Sequence, residues 1–65
     1  MNLSQEEIDI LRIYTANSHS ATIQNLSVAA LYFETSTQAT VYSELLAKIK
    51  EMSSVEYHNI QLMLY

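Results

Sequence analysis

The chain contains no glycine and no proline in its 65 residues. Without glycine, no turn that needs a positive backbone φ has its preferred residue, and without proline no helix is broken by steric necessity. β-Sandwiches and β-barrels need many turns, so this composition disfavours them. The sequence therefore predicts an all-α fold, a small bundle of three main helices plus a short C-terminal helix, with polar connections.

The length of the chain predicts a single helical domain over residues 1–65. A chain this short buries only about 60% of the surface that its unfolded form exposes, so its stability is marginal. Cysteine is absent, which excludes disulfides and thiolate metal sites as sources of stability. We therefore expect stability to come from good helix packing or from self-association.

The longest uninterrupted helical period runs from Gln38 to Met52. Tyr42, Leu45, Ile49 and Met52 recur there at steps of three and four residues, while the charged residues keep mostly to the other side. This pattern predicts an amphipathic helix with one buried face, against which the rest of the chain packs.

A first helix is predicted from Leu3 to Ala16. Ser4 and Glu7 have the spacing of a capping box, and Leu3 and Ile8 that of a hydrophobic staple. The apolar stripe consists of Ile8, Leu11 and Tyr14, with Ile10 and Ile13 beside it.

A second helix is predicted from Ala21 to Glu34, with an inner stripe made of Ile23, Leu26, Ala30 and Phe33. Val28, Leu31 and Tyr32 lie off that stripe. The helix is therefore either the most buried element or part of a self-association face.

The last helix is predicted from Ser54 to about Leu62, after a capping box of Ser53 and Glu56. Tyr57 and Ile60 form one face, which Leu64 can continue. So short a helix does not form in isolation, so docking onto the third helix must hold it.

The connections are polar. Asn17 is the residue best able to take a left-handed C-cap in the absence of glycine, and Ser20 or Thr22 can cap the second helix. Thr35 and Gln38 form a further possible capping box before the third helix.

The charge balance disfavours nucleic-acid binding. The net charge is -4, and Arg12, Lys48 and Lys50 are the only basic residues besides histidine, whereas duplex binding usually neutralises several phosphates. The second and third helices could form a helix-turn-helix, but the end that would contact bases, STQATVY, offers only Gln38. We expect no direct binding to nucleic acid.

No stretch approaches the roughly 18 apolar residues of a membrane span, and the N-terminus has no signal-peptide pattern. The chain is therefore expected to be cytoplasmic and without a membrane partner.

Catalytic chemistry is also disfavoured. His19 and His58 lack the spacing of a helical metal pair and are expected in surface or loop roles. Acidic residues in the first turn of the first helix are explained by the cap and the helix dipole. A chain of this size leaves little room for a pocket of about 300 Å³. We expect no enzyme activity, no catalytic residue, no cofactor and no metal.

Protein contact is the remaining class of function. Tyrosine is enriched at interface hot spots; Tyr14, Tyr42 and Tyr57 are expected in the core with their hydroxyls at its rim, and Tyr32 and Tyr65 at the surface. The candidate protein-contact residues are Val28, Leu31, Tyr32, Leu64 and Tyr65. Their apolar surface predicts a possible homodimer, and the sequence identifies no other partner protein.

Two blocks of the chain carry a family resemblance. LSQEEIDILRIY, at Leu3 to Tyr14, follows the pattern L-[ST]-x-E-E leading into an apolar helix that ends I-Y, and AKIKEMSSVEY, at Ala47 to Tyr57, follows K-[LI]-x-x-M-[ST]-x-x-E-[YF]. The chain thus resembles the transposon-transfer assisting proteins, very short proteins of bacterial conjugative transposons. It departs from them at Val55, where aspartate is common, and the acidic tail that often follows is not found before the sequence ends at Tyr65.

The resemblance implies a non-enzymatic accessory protein of a mobile genetic element that acts through protein–protein contacts. Its motifs are mostly caps and core positions, so no catalytic or binding residue carries over. Two alternatives stay open: a small helix-turn-helix DNA-associated regulator, which would bind duplex in a salt-dependent way, and an inhibitor of a host defence enzyme, which would form a tight stoichiometric complex.

If the third helix buries the predicted face, Leu45→Ala removes a core side chain. We expect it to lower the free energy of unfolding by about 2–5 kcal/mol, as is usual for a core leucine. Chemical denaturation followed by circular dichroism measures this change. A loss below about half a kcal/mol, the range of surface substitutions, would mean that another face of the helix is buried.

Overall fold

The computed structural model describes residues 3–64, and within that range the chain is all-helical, as predicted. Its four helices are α1 (Gln5–Tyr14), α2 (His19–Tyr32), α3 (Ala39–Glu51) and α4 (Ser54–Met63). α4 has ten residues, as many as α1. α2 and α3 pack against each other most extensively, α1 lies against both, and α4 contacts α2.

The face predicted for α3 is the one that the structure buries. Tyr42, Leu45 and Ile49 are buried on the helix, and Met52 is buried at its C-cap. They meet buried side chains from the other three helices and from the residue after α4: Ile10, Leu11, Leu26, Ala29, Tyr57 and Leu64. α3 therefore has the central position that its amphipathic pattern predicted.

α1 begins with the predicted capping box. The amide of Glu7 donates to Ser4 Oγ over 3.2 Å, and the amide of Ser4 donates to Glu7 Oε1 over 2.9 Å. Ile10 and Leu11 are buried, whereas Ile13 is exposed. Of the predicted stripe only Leu11 is fully buried, while Ile8 and Tyr14 are half-buried, so the buried face of α1 is centred on Ile10 and Leu11.

α2 is rotated relative to the prediction. Its buried residues are Thr22, Leu26 and Ala29, so only Leu26 of the expected stripe is fully buried, while Ile23 and Ala30 are half-buried. Of the two alternatives given for α2, that of the most buried element is wrong, because Val28, Leu31 and Tyr32 face solvent.

The connection between α1 and α2 uses no left-handed residue. No residue in the range 3–64 has a positive φ, so the C-cap predicted at Asn17 is wrong. The N-cap of α2 is Ser18, whose Oγ accepts from the amide of Ala21 over 3.1 Å; it is neither Ser20 nor Thr22. Because the chain enters α2 through an extended residue, Ser18, this connection needs no residue with a positive φ and therefore no glycine.

The connection between α2 and α3 consists of turns over residues 33–38. The predicted box of Thr35 and Gln38 is wrong, because Gln38 is itself the N-cap and makes no side-chain cap hydrogen bond. Ser36 supplies the local acceptor instead: its Oγ accepts from the amide of Gln38 over 3.1 Å.

α4 begins with the predicted capping box of Ser53 and Glu56, with both hydrogen bonds at 3.1 Å. The Ser53 amide and hydroxyl hold the pKa of the Glu56 carboxyl below its ordinary value. We expected α4 to dock onto α3, but its main contacts are with α2.

A buried hydrogen-bond cluster of Tyr57, Thr15 and Thr22, which we call the Tyr57 junction, holds α4 against α2. The Tyr57 hydroxyl lies 2.6 Å from Thr15 Oγ1 and 2.6 Å from Thr22 Oγ1. The amide of Ala16 donates to Thr22 Oγ1 over 2.9 Å. The hydroxyl that was expected at the rim of the core instead joins α4 to α2 and to the end of α1.

His19 and Gln61 extend the junction. The His19 ring stacks on Tyr57 with ring centroids 5.1 Å apart, and its Nε2 lies 2.6 Å from the carbonyl of Ile49, so Nε2 carries the donated proton. Gln61 Nε2 donates to the carbonyl of Ala16 over 2.8 Å. The surface or loop role predicted for His19 is therefore wrong, since its ring connects α2, α3 and α4.

An ion pair joins α1 to α3. Lys48 Nζ donates to Glu7 Oε1 over 2.7 Å, with the Lys48 side chain 33% exposed and that of Glu7 5% exposed. Glu7 Oε2 is buried and has no hydrogen-bond partner among residues 3–64. Burial raises the pKa of the Glu7 carboxyl, but the bonds from Lys48 and Ser4 outweigh it, so that pKa lies below its ordinary 4.5.

The Tyr57 junction predicts that removing the hydroxyl of Tyr57 lowers the stability of the protein more than removing the hydroxyl of Tyr32. Tyr57→Phe leaves two threonine hydroxyls without their partner, and we expect a loss of about 1–3 kcal/mol in the free energy of unfolding. At about 4–8 °C per kcal/mol for a domain of this size, the melting temperature should fall measurably. Tyr32→Phe removes the same atom from an exposed ring and should change stability by less than about 0.5 kcal/mol. Equal melting temperatures for the two variants would contradict the role of the junction.

The Glu7–Lys48 pair predicts an acid-sensitive contribution to stability. Because the folded-state pKa of Glu7 lies below 4.5, this contribution is complete above the unfolded-state pKa and disappears as the pH falls through the folded-state pKa. Urea denaturation from about pH 7 to about pH 3 should therefore show a declining free energy of unfolding, and Glu7→Gln should flatten part of that decline. Glu44→Gln, which removes an exposed carboxylate, serves as the control. If the free energy of unfolding of Glu7→Gln declined with falling pH as steeply as that of the unaltered protein, the pair would contribute nothing to stability.

Candidate protein-contact site

The structure separates the five predicted contact residues. Val28, Leu31 and Tyr32 are 65%, 66% and 79% exposed. Leu64 is only 8% exposed because it packs back onto the core, so its assignment to a contact surface is wrong. Tyr65 lies outside the described residues. The candidates that the structure shows to be exposed therefore all belong to α2, and the assignment of Tyr65 stays a prediction.

These three residues form one surface, which we call the α2 outer face. Their spacing of three and four residues places them on the same side of the helix. No aspartate, glutamate, lysine or arginine occurs in the helix from His19 to Tyr32. The α2 outer face is therefore both apolar and free of formal charge.

A groove of about 350 Å³, the α1–α2 groove, adjoins this face. Its lining consists of Tyr14, Asn25, Val28, Ala29, Tyr32 and Phe33, and so includes two residues of the α2 outer face and no ionised side chain. The groove lies between the end of α1 and the C-terminal half of α2.

Aromatic contacts fix the wall of this groove to the core. The Tyr32 ring meets Phe33 edge-on at 4.8 Å, and Phe33 stacks on the buried Tyr42 at 4.8 Å. Tyr42 in turn meets Tyr14 edge-on at 6.1 Å, and burial followed by the neighbouring Tyr14 raises the pKa of the Tyr42 hydroxyl. Asn25 Nδ2 donates to the carbonyl of Tyr14 over 3.0 Å. The wall of the groove is therefore built on side chains that pack against the core.

A second groove, of about 410 Å³, lies between α1 and α4. Its lining is Leu3, Gln5, Ile8, Arg12, Ile60, Met63 and Leu64. Leu3 and Leu64 are the first and last residues that the structure describes, so we assign no ligand to this groove. With two grooves of about 410 and 350 Å³, the expectation that so small a chain leaves little room for a pocket of about 300 Å³ is wrong.

The grooves do not bring catalytic groups together. Among residues 3–64, no three histidine, cysteine, aspartate or glutamate side chains lie where they could hold a metal ion. The only ionised side chain lining either groove is Arg12. That the protein is not an enzyme and takes no cofactor stays a prediction.

The placement of the basic residues bears on the helix-turn-helix alternative. Lys48 and Lys50 lie in the last turn of α3, at the end opposite the one from which a recognition helix contacts bases. Lys48 is also engaged by Glu7. The absence of nucleic-acid binding stays a prediction that this geometry favours.

None of the four helices is both long enough and apolar enough to cross a lipid bilayer, a finding that covers the described part of the chain.

Sequence reasoning missed the α1–α2 groove and the inward orientation of Thr22. The groove results from how α1 and α2 pack, which no local pattern records. Thr22 did carry a signal, because it precedes Leu26 by four residues and therefore lies on the same helix face. Its hydroxyl made it look like a cap rather than a core residue.

Comparison with known proteins adds one result. The sequence profile of a family described as "Putative transposon-transfer assisting protein" matches residues 3–64, nearly the whole chain. No curated protein and no solved structure gives a significant match. The matched range includes both blocks on which the resemblance was noted. The chain therefore belongs to the transposon-transfer assisting protein family.

Proposed function

We propose that this protein is a non-enzymatic accessory protein of a mobile genetic element, a bacterial conjugative transposon, and that it acts through a protein contact made by the α2 outer face. Membership of the family supports a role in element transfer. The observation that carries the contact is the exposure of Val28, Leu31 and Tyr32 side by side on one helix. Single exposed apolar residues are common on soluble proteins, but a contiguous apolar patch beside a groove is typical of an interaction site.

The face suits a protein partner better than the other classes of ligand. Its apolar side chains lie beside a groove whose lining is largely apolar and aromatic, with Asn25 as a polar group, a composition that suits a protein interface. Nucleic acid would require several cationic contacts, and α2 carries no lysine or arginine. The contact is therefore with protein.

The proposal is tested by placing a charge on the face in cells that carry the element. Leu31→Glu introduces a carboxylate that must be desolvated when a partner covers it, which is costly unless the charge is paired. We expect this variant to lower the frequency of element transfer to that of a strain without the gene. The measurement is a mating assay with the protein amounts compared by immunoblot.

Val55→Glu is the matched control. Val55 is 71% exposed, close to the 66% of Leu31, and lies in the first turn of α4, where the helix dipole favours an acidic side chain. It should leave transfer unchanged. Normal transfer with Leu31→Glu at equal protein level would refute the proposed contact. Salt-dependent binding of the purified protein to duplex DNA would instead favour a DNA-associated regulator.

A further inference from the structure

We infer that the occupant of the α2 outer face is a second copy of this chain, bound by a two-fold-symmetric contact between two α2 helices. This inference deepens the proposed function and rests on it for the biological role of the face. It starts from a requirement of symmetry: in a two-fold contact the same surface meets itself, so that surface must be self-complementary in charge and in shape.

Of the four helices that the structure describes, only α2 carries no ionised acidic or basic side chain, so only α2 meets the requirement of charge complementarity. Each copy carries a net charge of -4, and ionised side chains occur on α1, α3 and α4. Two copies that meet through α2 place no like charges directly opposite each other, because the helix has no ionised acidic or basic residue. The nearest such residue along the chain is Glu34, in the turn that follows α2.

The absence of ionised residues on α2 also disfavours a charged partner. A basic or acidic surface would lose hydration against Val28, Leu31 and Tyr32 without gaining a pairing charge, which costs free energy. An occupant must therefore be apolar and uncharged over the area that it covers. The α2 outer face of a second copy meets this requirement, because its three side chains are exposed and its helix carries no ionised residue.

Shape complementarity is provided by a protrusion and a groove on the same side of the molecule. Leu31 is exposed beside the α1–α2 groove but does not line it, whereas Val28 and Tyr32 do. In a two-fold arrangement Leu31 of one copy can enter the groove of the other, and the reverse contact follows by symmetry. The groove wall is held by the stacking of Phe33 on Tyr42, so little ordering is needed on binding.

The available area predicts a weak dimer. An interface of standard size takes roughly 800 Å² from each partner, which would be close to a fifth of the 4269 Å² surface of one chain. One side of a single helix of 14 residues, about 21 Å long, falls short of that area. We therefore expect dissociation constants in the micromolar range, where small interfaces lie.

Sedimentation equilibrium of the purified full chain, over a series from low to high micromolar concentration, tests this inference. The mass should rise from 7.4 kDa towards twice that value. Added sodium chloride should strengthen the association, because it screens the repulsion between two acidic chains. Leu31→Glu should weaken the association at least about tenfold, and Val55→Glu should leave it unchanged. Circular dichroism serves as the check that both variants keep their helices.

The outcomes separate this inference from the proposed function. A mass of 7.4 kDa at every concentration, or a dimer disrupted by Val55→Glu and not by Leu31→Glu, overturns the two-fold contact. If the chain stays monomeric while Leu31→Glu still abolishes element transfer, the face binds another protein and the proposed function stands. If Leu31→Glu dissociates the dimer without affecting transfer, the contact is real and the proposed function fails.

Discussion

The hydroxyl of Tyr57 determines how α2 is oriented, and through that orientation which residues the protein presents to solvent. A buried hydroxyl is costly unless it is hydrogen-bonded, so Tyr57 requires polar partners inside the core. Thr22 and Thr15 supply them at 2.6 Å each. Because Thr22 must face inward to do so, Leu26 and Ala29 follow it onto the buried side. Val28, Leu31 and Tyr32 are thereby left on the opposite side, and the α2 outer face is a consequence of the junction.

The two sequence blocks that carry the family resemblance meet in the core and are also joined by an ion pair. Glu7 belongs to the first block and Lys48 to the second, and they meet at 2.7 Å. Several other motif residues also have structural roles: Ser4 and Ser53 cap helices, Met52 is buried, and Tyr57 forms the junction. The α2 outer face lies outside both blocks. The motifs therefore account for the fold, whereas the surface that we propose for contact is not among the residues by which the family is recognised.

The features that the sequence predicted correctly are those that an alternation of polar and apolar residues marks within a few positions of the chain. The capping boxes at Ser4 and Ser53 and the buried face of α3 were predicted because each shows within a few residues. The fully buried residues of α2 were predicted correctly only at Leu26, because the helix has no ionised residue to mark its solvent side. The Glu7–Lys48 pair, the stacking of His19 on Tyr57 and the α1–α2 groove join residues far apart in sequence, so no pattern along the chain could predict them.

The composition of the α2 outer face is not required by the fold of a single chain. Val28, Leu31 and Tyr32 are each at least 65% exposed, so glutamate or lysine at these positions would leave the core intact and would favour helix formation more than valine or tyrosine does. A domain of this size has little stability in reserve, yet it keeps these side chains mostly in water, where they add little to its own core. A contact that binds only the folded chain would stabilise that chain by mass action. The protein contact that we propose would account for the apolar side chains of this face.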